Sequence, residues 1–115
     1  MLDDVTVDVL QAAMRGLSAR QRTISDDIAN VDTPFYRARS VSFEADLRRA
    51  VEGGRDPRSV APTTTVSTAP AGLNGNNVNL TAETLASVDT ELAYQLTLRA
   101  AGDRFNLYRS AIKGV

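Results

Sequence analysis

Asp27-Ile28-Ala29-Asn30-Val31-Asp32-Thr33-Pro34-Phe35-Tyr36-Arg37-Ala38-Arg39 decides how this chain is organised. It follows a long helical pattern and stops it. Asn30 and Asp32 are side chains that bond their own backbone in turns and tolerate unusual dihedrals. Pro34 has no amide proton and turns Thr33 away from helix. Phe35 and Tyr36 then present two large apolar surfaces, with Arg37 and Arg39 beside them. A helix therefore ends here, and the chain leaves it by a specified route. A catalytic loop can have a similar composition, but no nucleophile is paired with a base in this one.

Upstream, Val7, Leu10, Met14, Leu17, Gln21, Ile24 and Ile28 recur at alternating steps of three and four. This is a helical stripe in heptad phase, interrupted only by the polar Gln21. Asp3 and Asp4 suit the positive end of the helix dipole, and the spacing predicts one helix from about Thr6 to Asn30. Gly16 either weakens its middle by roughly 1 kcal/mol relative to alanine or admits a close neighbour. Such an amphipathic helix cannot satisfy its apolar face alone.

Downstream, Phe43, Leu47, Ala50 and Val51 share one side of a short helix over Ser42–Glu52, although Phe35–Phe43 reads equally as extended chain. Gly53-Gly54-Arg55-Asp56-Pro57 is a break. The run Thr63-Thr64-Thr65-Val66 is compatible with a short strand, but with only Val60 and Val66 as large apolar neighbours it cannot anchor a sheet core. Asn74-Gly75 is a turn pair. A connection this long is unusual in a compact domain, so the sequence predicts a flexible insert ordered by contact with neighbours. Asn79 then caps a helix, with Glu83 near its start. Leu85, Val88 and Leu92 form one ridge. Tyr94, Leu98, Ala101, Phe105, Tyr108 and Ile112 form a second, widened by Leu96 and Leu107. Gly114 ends the helix after Lys113.

The expected fold is mainly α. Two long terminal helices pack as an elongated, coiled-coil-like hairpin, joined by an irregular middle with a short helix and short strands. The chain divides into an N-terminal helix (1–31), the helix exit and short helix (32–52), the insert (53–78) and a C-terminal helix (79–115). The second helix carries more apolar surface than one partner helix can cover. Copies or relatives of the same chain would bury the surplus. The candidate interface residues are Leu10, Met14, Leu17, Ile24, Leu98, Ala101, Phe105, Tyr108 and Ile112.

Composition narrows the function. The chain has 115 residues and a formal net charge of −1, with no histidine and no cysteine. That charge makes no electrostatic case for nucleic acid or an anionic membrane. Without cysteine there is neither a disulfide frame nor a thiolate metal site, which also fits an oxidising compartment. Without histidine, Ser18, Thr23 and Ser25 lack the usual activating base, and Lys113 is the only lysine. Asp3 with Asp4 and Asp26 with Asp27 are adjacent on a helix and do not face each other. They read as solvated faces or caps, not as acid–base pairs. Asn74, Asn76, Asn77 and Asn79 offer carbonyl oxygens but too little charge for a calcium site. Arg48, Arg49, Arg55 and Arg58 read as a solvated loop or as an ionic contact to a partner. Neither catalysis, a cofactor nor a small-molecule substrate is expected. The opening Met1-Leu2-Asp3-Asp4 is not that of a cleaved secretory signal, and no segment reads as a transmembrane helix.

The stretch Asp26-Asp27-Ile28-Ala29-Asn30-Val31-Asp32-Thr33-Pro34-Phe35-Tyr36 resembles the signature of the flagella basal body rod protein family, shared by rod, hook and related axial proteins. That signature reads asparagine, isoleucine, alanine, asparagine, a variable pair, then threonine, proline, glycine and tyrosine. Ile28, Ala29, Asn30, Thr33, Pro34 and Tyr36 match it. Asp27 stands where asparagine is usual and Phe35 where glycine is usual, so the turn is expected to need no positive φ. Leu17-Ser18-Ala19-Arg20-Gln21, Arg37-Ala38-Arg39 with Phe43 and Leu47, Gly75-Asn76-Asn77-Val78-Asn79-Leu80 with Glu83, Tyr94-Gln95 and Ala111-Ile112 are similar to the proximal-rod members.

The resemblance implies a structural subunit without turnover. It would leave the cell through the flagellar type III export apparatus without a cleaved signal, partly folded as a monomer. It would assemble helically in the periplasm through its terminal helices and transmit torque from the membrane ring toward the hook. The implied partners are copies of itself, neighbouring rod proteins, the rod adaptor FliE, the membrane-ring protein and the export gate. A small acidic helical chain is also compatible with an export chaperone or adaptor of the same secretion system.

Overall fold

The computed structural model describes residues 4–113, without the side chains of Asp4 and Tyr108. Two long helices dominate it: α1 (Asp4–Ala29) and α3 (Leu80–Lys113), which pack antiparallel. Between them lie strand β1 (Arg39–Ser42), helix α2 (Glu44–Glu52), a single 3-10 turn (Pro57–Ser59) and strand β2 (Thr63–Val66). The radius of gyration is 17.8 Å, against about 13 Å for a compact domain of similar size. The molecule is a rod of 65 × 27 × 14 Å.

The long helices lie where the heptad stripes predict them, and the mainly helical hairpin is the observed fold. Ser42 belongs to β1 and α2 begins at Glu44, so the extended reading of the approach to Phe43 and the helical reading after it are both realised. Helix α2 closes on a Schellman motif. Gly54 takes φ 70°, Gly54 N donates to Val51 O at 3.2 Å and Arg55 N to Ala50 O at 2.8 Å.

The expected insert contains β2, which pairs antiparallel with β1 from Arg39↔Val66 to Ser42↔Thr63. All of β2 is exposed, as its threonines require, and the contacts that hold it here come from its own chain.

The core lies at mid-length. Ala12 and Leu17 of α1, Val41 of β1, Phe43, and Leu47 of α2 form one buried cluster, with Val9, Ala13, Val60, Ala93 and Tyr94 packed on it. Gly16 is the close-approach point: a Cβ there would lie 2.3 Å from the Phe43 ring. Arg20 closes the top of this cluster. Its guanidinium sits 5.1 Å from the Phe43 ring centroid, donates to Val41 O at 2.8 Å and pairs with Glu44 at 2.7 Å. The hydrogen bond from Arg20 holds the Glu44 carboxyl down at about 2.

Candidate functional site

The helix exit is built as a bonded junction. Asn30 Nδ2 donates back to Asp26 O at 2.8 Å, and Thr33 Oγ1 donates to Asn30 Oδ1 at 3.0 Å. Thr33 N donates to Asn30 O at 3.0 Å, and Tyr36 N to Thr33 O at 3.3 Å. These local bonds replace the helical ladder that Pro34 cannot continue.

The loop before α3 locks this turn from the other side. Asn76 is buried, and its Nδ2 donates to Asn30 O and Thr33 O, both at 2.8 Å, while its Oδ1 accepts from Val78 N at 2.8 Å. Asn77 Oδ1 accepts from Ala38 N at 2.6 Å, and Asn77 N donates to Tyr36 O at 3.2 Å. Asn79 caps α3 through Ala82 N at 3.0 Å. The asparagine-rich stretch is thus a side-chain clamp on the end of α1. The sequence suggests turns there, but a partner more than 40 residues away is not visible in local propensity.

Phe35 departs from expectation. It takes φ 63°, the left-handed conformation, even though glycine is absent. Its ring lies against Gly75, where an added Cβ would come within 2.5 Å of it. In this conformation Phe35 N donates to Asn74 O at 3.0 Å. The cost of a left-handed non-glycine residue is about 1–2 kcal/mol. The residue nevertheless remains 82 % exposed.

Asp27 is the second correction. It is no solvated face: it is fully buried, with 0 % exposure. Its Oδ1 accepts from Tyr36 Oη at 3.0 Å, and its two oxygens accept from Arg39 N at 3.2 and 3.1 Å. Burial and then the Asp27 hydrogen bond raise the Tyr36 phenol above its ordinary value. Glu83 reaches Asp27 from the first turn of α3. Farther along, Gln21 Nε2 donates to Ser87 Oγ at 2.8 Å, so the polar break in the α1 stripe is a cross-helix bond. Gln21 Oε1 has no protein partner among the described residues.

These two cross-helix contacts set the antiparallel register. Carried along it, they set Phe105 level with the first described turn of α1 and Leu107–Lys113 beyond Asp4, the first described residue of that helix. Pairing of Phe105 with Met14 or Leu17 is excluded by the same register.

The structure divides the candidate interface residues. Leu17, Ile24 and Ala101 are buried inside the chain and face its own core, while Leu10 and Met14 are half-buried. Leu98, Phe105 and Ile112 are exposed. The side chain of Tyr108, like Gly114, lies outside the described residues. Leu85, Val88, Leu92, Leu96 and Leu107 are also exposed, so α3 carries a free apolar surface along most of its length.

The basic cluster around Gly53 is partly paired. Arg49 meets Asp46, and Arg58 meets Asp56 at 3.0 Å and Asp8 at 3.9 Å. Among the described residues no cluster of carboxylates has the makings of a metal site, and no helix is long and apolar enough to cross a membrane.

The flagellar basal body rod protein FlgB of Escherichia coli strain K12 is 33 % identical to the chain, covering 87 % of it and 88 % of the relative. The chain belongs to the FlgB family of flagellar basal body rod proteins. The FlgB proteins of Salmonella typhimurium and Bacillus subtilis are each 29 % identical, covering 99 % and 95 % of this chain and 99 % and 94 % of their own lengths. No family model matches the sequence. FlgB relatives thus align across both long helices and the junction between them.

Proposed function

We propose that the chain is a structural subunit of the flagellar basal body rod, built into it through the outer surface of α3. One observation carries the assembly mode: the outer face of α3 leaves Leu98, Phe105, Leu107 and Ile112 exposed. An apolar ridge of this extent is stable in water only when another surface covers it. In a rod the covering surface comes from copies of the chain and from neighbouring rod proteins. Their helices bring complementary stripes, and helix ridges interlock at close range.

The role is mechanical, with no turnover. Torque passes through packed helices, and the bonded junction at the exit of α1 keeps the two helices in register under load. Export through the type III apparatus without signal cleavage fits a slender chain whose free end gains its burial on assembly. A periplasmic place at the base of the rod brings FliE, the membrane-ring protein and the export gate within reach as partners.

The test uses cells lacking the native protein that express Phe105→Ala, Leu96→Ala or the double variant. Export, incorporation into basal bodies and motility are scored separately. Normal export with lost incorporation is the expected outcome. Full motility of the double variant would remove α3 as the assembly surface.

A further inference from the structure

We propose that Asp27 and Glu83 form a proton-sharing latch that ties the first turn of α3 to the exit of α1 and opens when Glu83 loses its proton. The geometry around Asp27 leads to this. The residue is wholly buried, and both its oxygens are occupied as acceptors by Tyr36 Oη and Arg39 N. That pattern belongs to a carboxylate. Glu83, half-buried one turn before Ser87, meets it from the other helix in the register that the Gln21–Ser87 bond sets, so a hydrogen bond between the two carboxyl groups requires that Glu83 supply the hydrogen. Two carboxylates sharing one site cannot both ionise without strong repulsion.

The surroundings reinforce the assignment. The groups facing the pair are the Tyr36 phenol and the Arg39 backbone from the helix exit, while Asp26 on α1 is exposed and acts on the Tyr36 phenol from farther off. The Tyr36 phenol also feels the Arg39 side-chain charge, but Arg39 itself is exposed. The helix dipole at the start of α3 favours an ionised Glu83. Burial acts against it and is the largest influence, followed by the hydrogen bond and charge of Asp27. Together they raise Glu83 from 4.5 to about 8.

The consequence is a dependence on pH with a definite sign. The folded chain binds a proton that the unfolded chain has already released, so stability falls as pH rises. The latch contribution is full below 4.5 and is lost as pH rises through about 8. The chain has no histidine and no cysteine. The terminal amino group is then the only other group that ordinarily titrates between about pH 6 and 8.

The experiment follows the Glu83 side-chain carboxyl by 13C NMR on the full chain, with urea unfolding measured across the same pH range. A Glu83 midpoint displaced upward from 4.5 toward about 8 is expected, with the urea midpoint falling over that interval. Glu83→Gln supplies a permanent amide donor and flattens the urea profile. Asp27→Asn places a donor opposite Glu83 and returns the carboxyl midpoint toward its ordinary value. A Glu83 midpoint at the ordinary value in the native chain overturns the latch. So does a Glu83→Gln profile as steep as the native one. If Glu83→Gln does not fold, the direction of the Glu83 midpoint in Asp27→Asn decides the matter alone.

Discussion

The two ends of the helical hairpin are finished in opposite ways. At the end where α1 gives way to the exit turn, the hydrogen bonds that close it are polar and aimed, with the Phe35 ring laid over Gly75 beside them. Asn76 holds two backbone carbonyls, Asn77 holds Ala38 N, and Asp27 gathers Tyr36 and Arg39. At the other end, α3 runs on with Phe105, Leu107 and Ile112 exposed. Hydrogen bonds are directional and costly to leave unmade, so the closed end fixes one register between the helices. Apolar contact is non-directional and accepts any complementary surface, so the open end is suited to a neighbour. One sequence thus separates the part that sets its own shape from the part that another chain completes.

The sharpest way to break this comparison is to exchange aromatic truncations between the core and the open end. Phe43→Ala removes a buried ring wedged over Gly16 and is expected to lower unfolding free energy by about 3–5 kcal/mol in urea titration. Phe105→Ala removes a ring that is 48 % exposed and is expected to cost the isolated chain about 1 kcal/mol or less. Equal losses would mean that the open end is as well packed as the core.

At the closed end, Asn76→Ala leaves the carbonyls of Asn30 and Thr33 without their side-chain donor. The expected loss is about 1–3 kcal/mol, read from the urea midpoint. Faster amide exchange at Thr33 and Tyr36 should accompany it. A midpoint shift without local exchange changes would show that the clamp does not hold the turn.

Phe35→Gly should move stability the other way. Glycine takes a positive φ freely, so relief of the strain at Phe35 is expected to gain about 1 kcal/mol, less the entropy glycine adds to the unfolded chain. A clear loss of stability would show that the Phe35 ring contact with Gly75 outweighs the strain.

A smaller effect is expected in acid. Glu44 is held below its ordinary value by Arg20. Its contribution is present above 4.5 and is lost as pH falls through about 2, so Glu44→Gln should flatten the acid limb of the stability profile. An unchanged acid limb would mean that this exposed pair contributes little.

Periodicity made the helices legible. The heptad stripe from Val7 to Ile28 and the ridges from Leu85 to Ile112 predict α1 and α3, because burial repeats every three or four residues. Gly53 and Gly54 mark the stop of α2, and Asn79 the start of α3, because caps are local. What the sequence hid depends on distant partners. Asp27 looks like half of a solvated acidic pair until Tyr36, Arg39 and Glu83 close around it. Phe35 looks free of special dihedrals because a phenylalanine side chain gives no sign of a positive φ, while the neighbours it meets there, Asn74 and Gly75, lie about 40 residues away. The interface candidates lie on one apolar stripe of each long helix, yet the α1 stripe faces the chain's own core at Leu17 and Ile24, while the α3 stripe is buried at Ala101 and meets open water at Phe105. Periodicity identifies an apolar face and leaves open which chain covers it.

The division between a self-determined end and a shared end is tested most directly by amide hydrogen exchange along α3. The measurement compares the free subunit at low concentration with the same subunit in isolated basal bodies. Amides from Phe105 to Lys113 should exchange fast in the free chain and slowly once assembled, while those around Thr90 stay protected in both. Strong protection from Phe105 to Lys113 in the free chain would contradict the account.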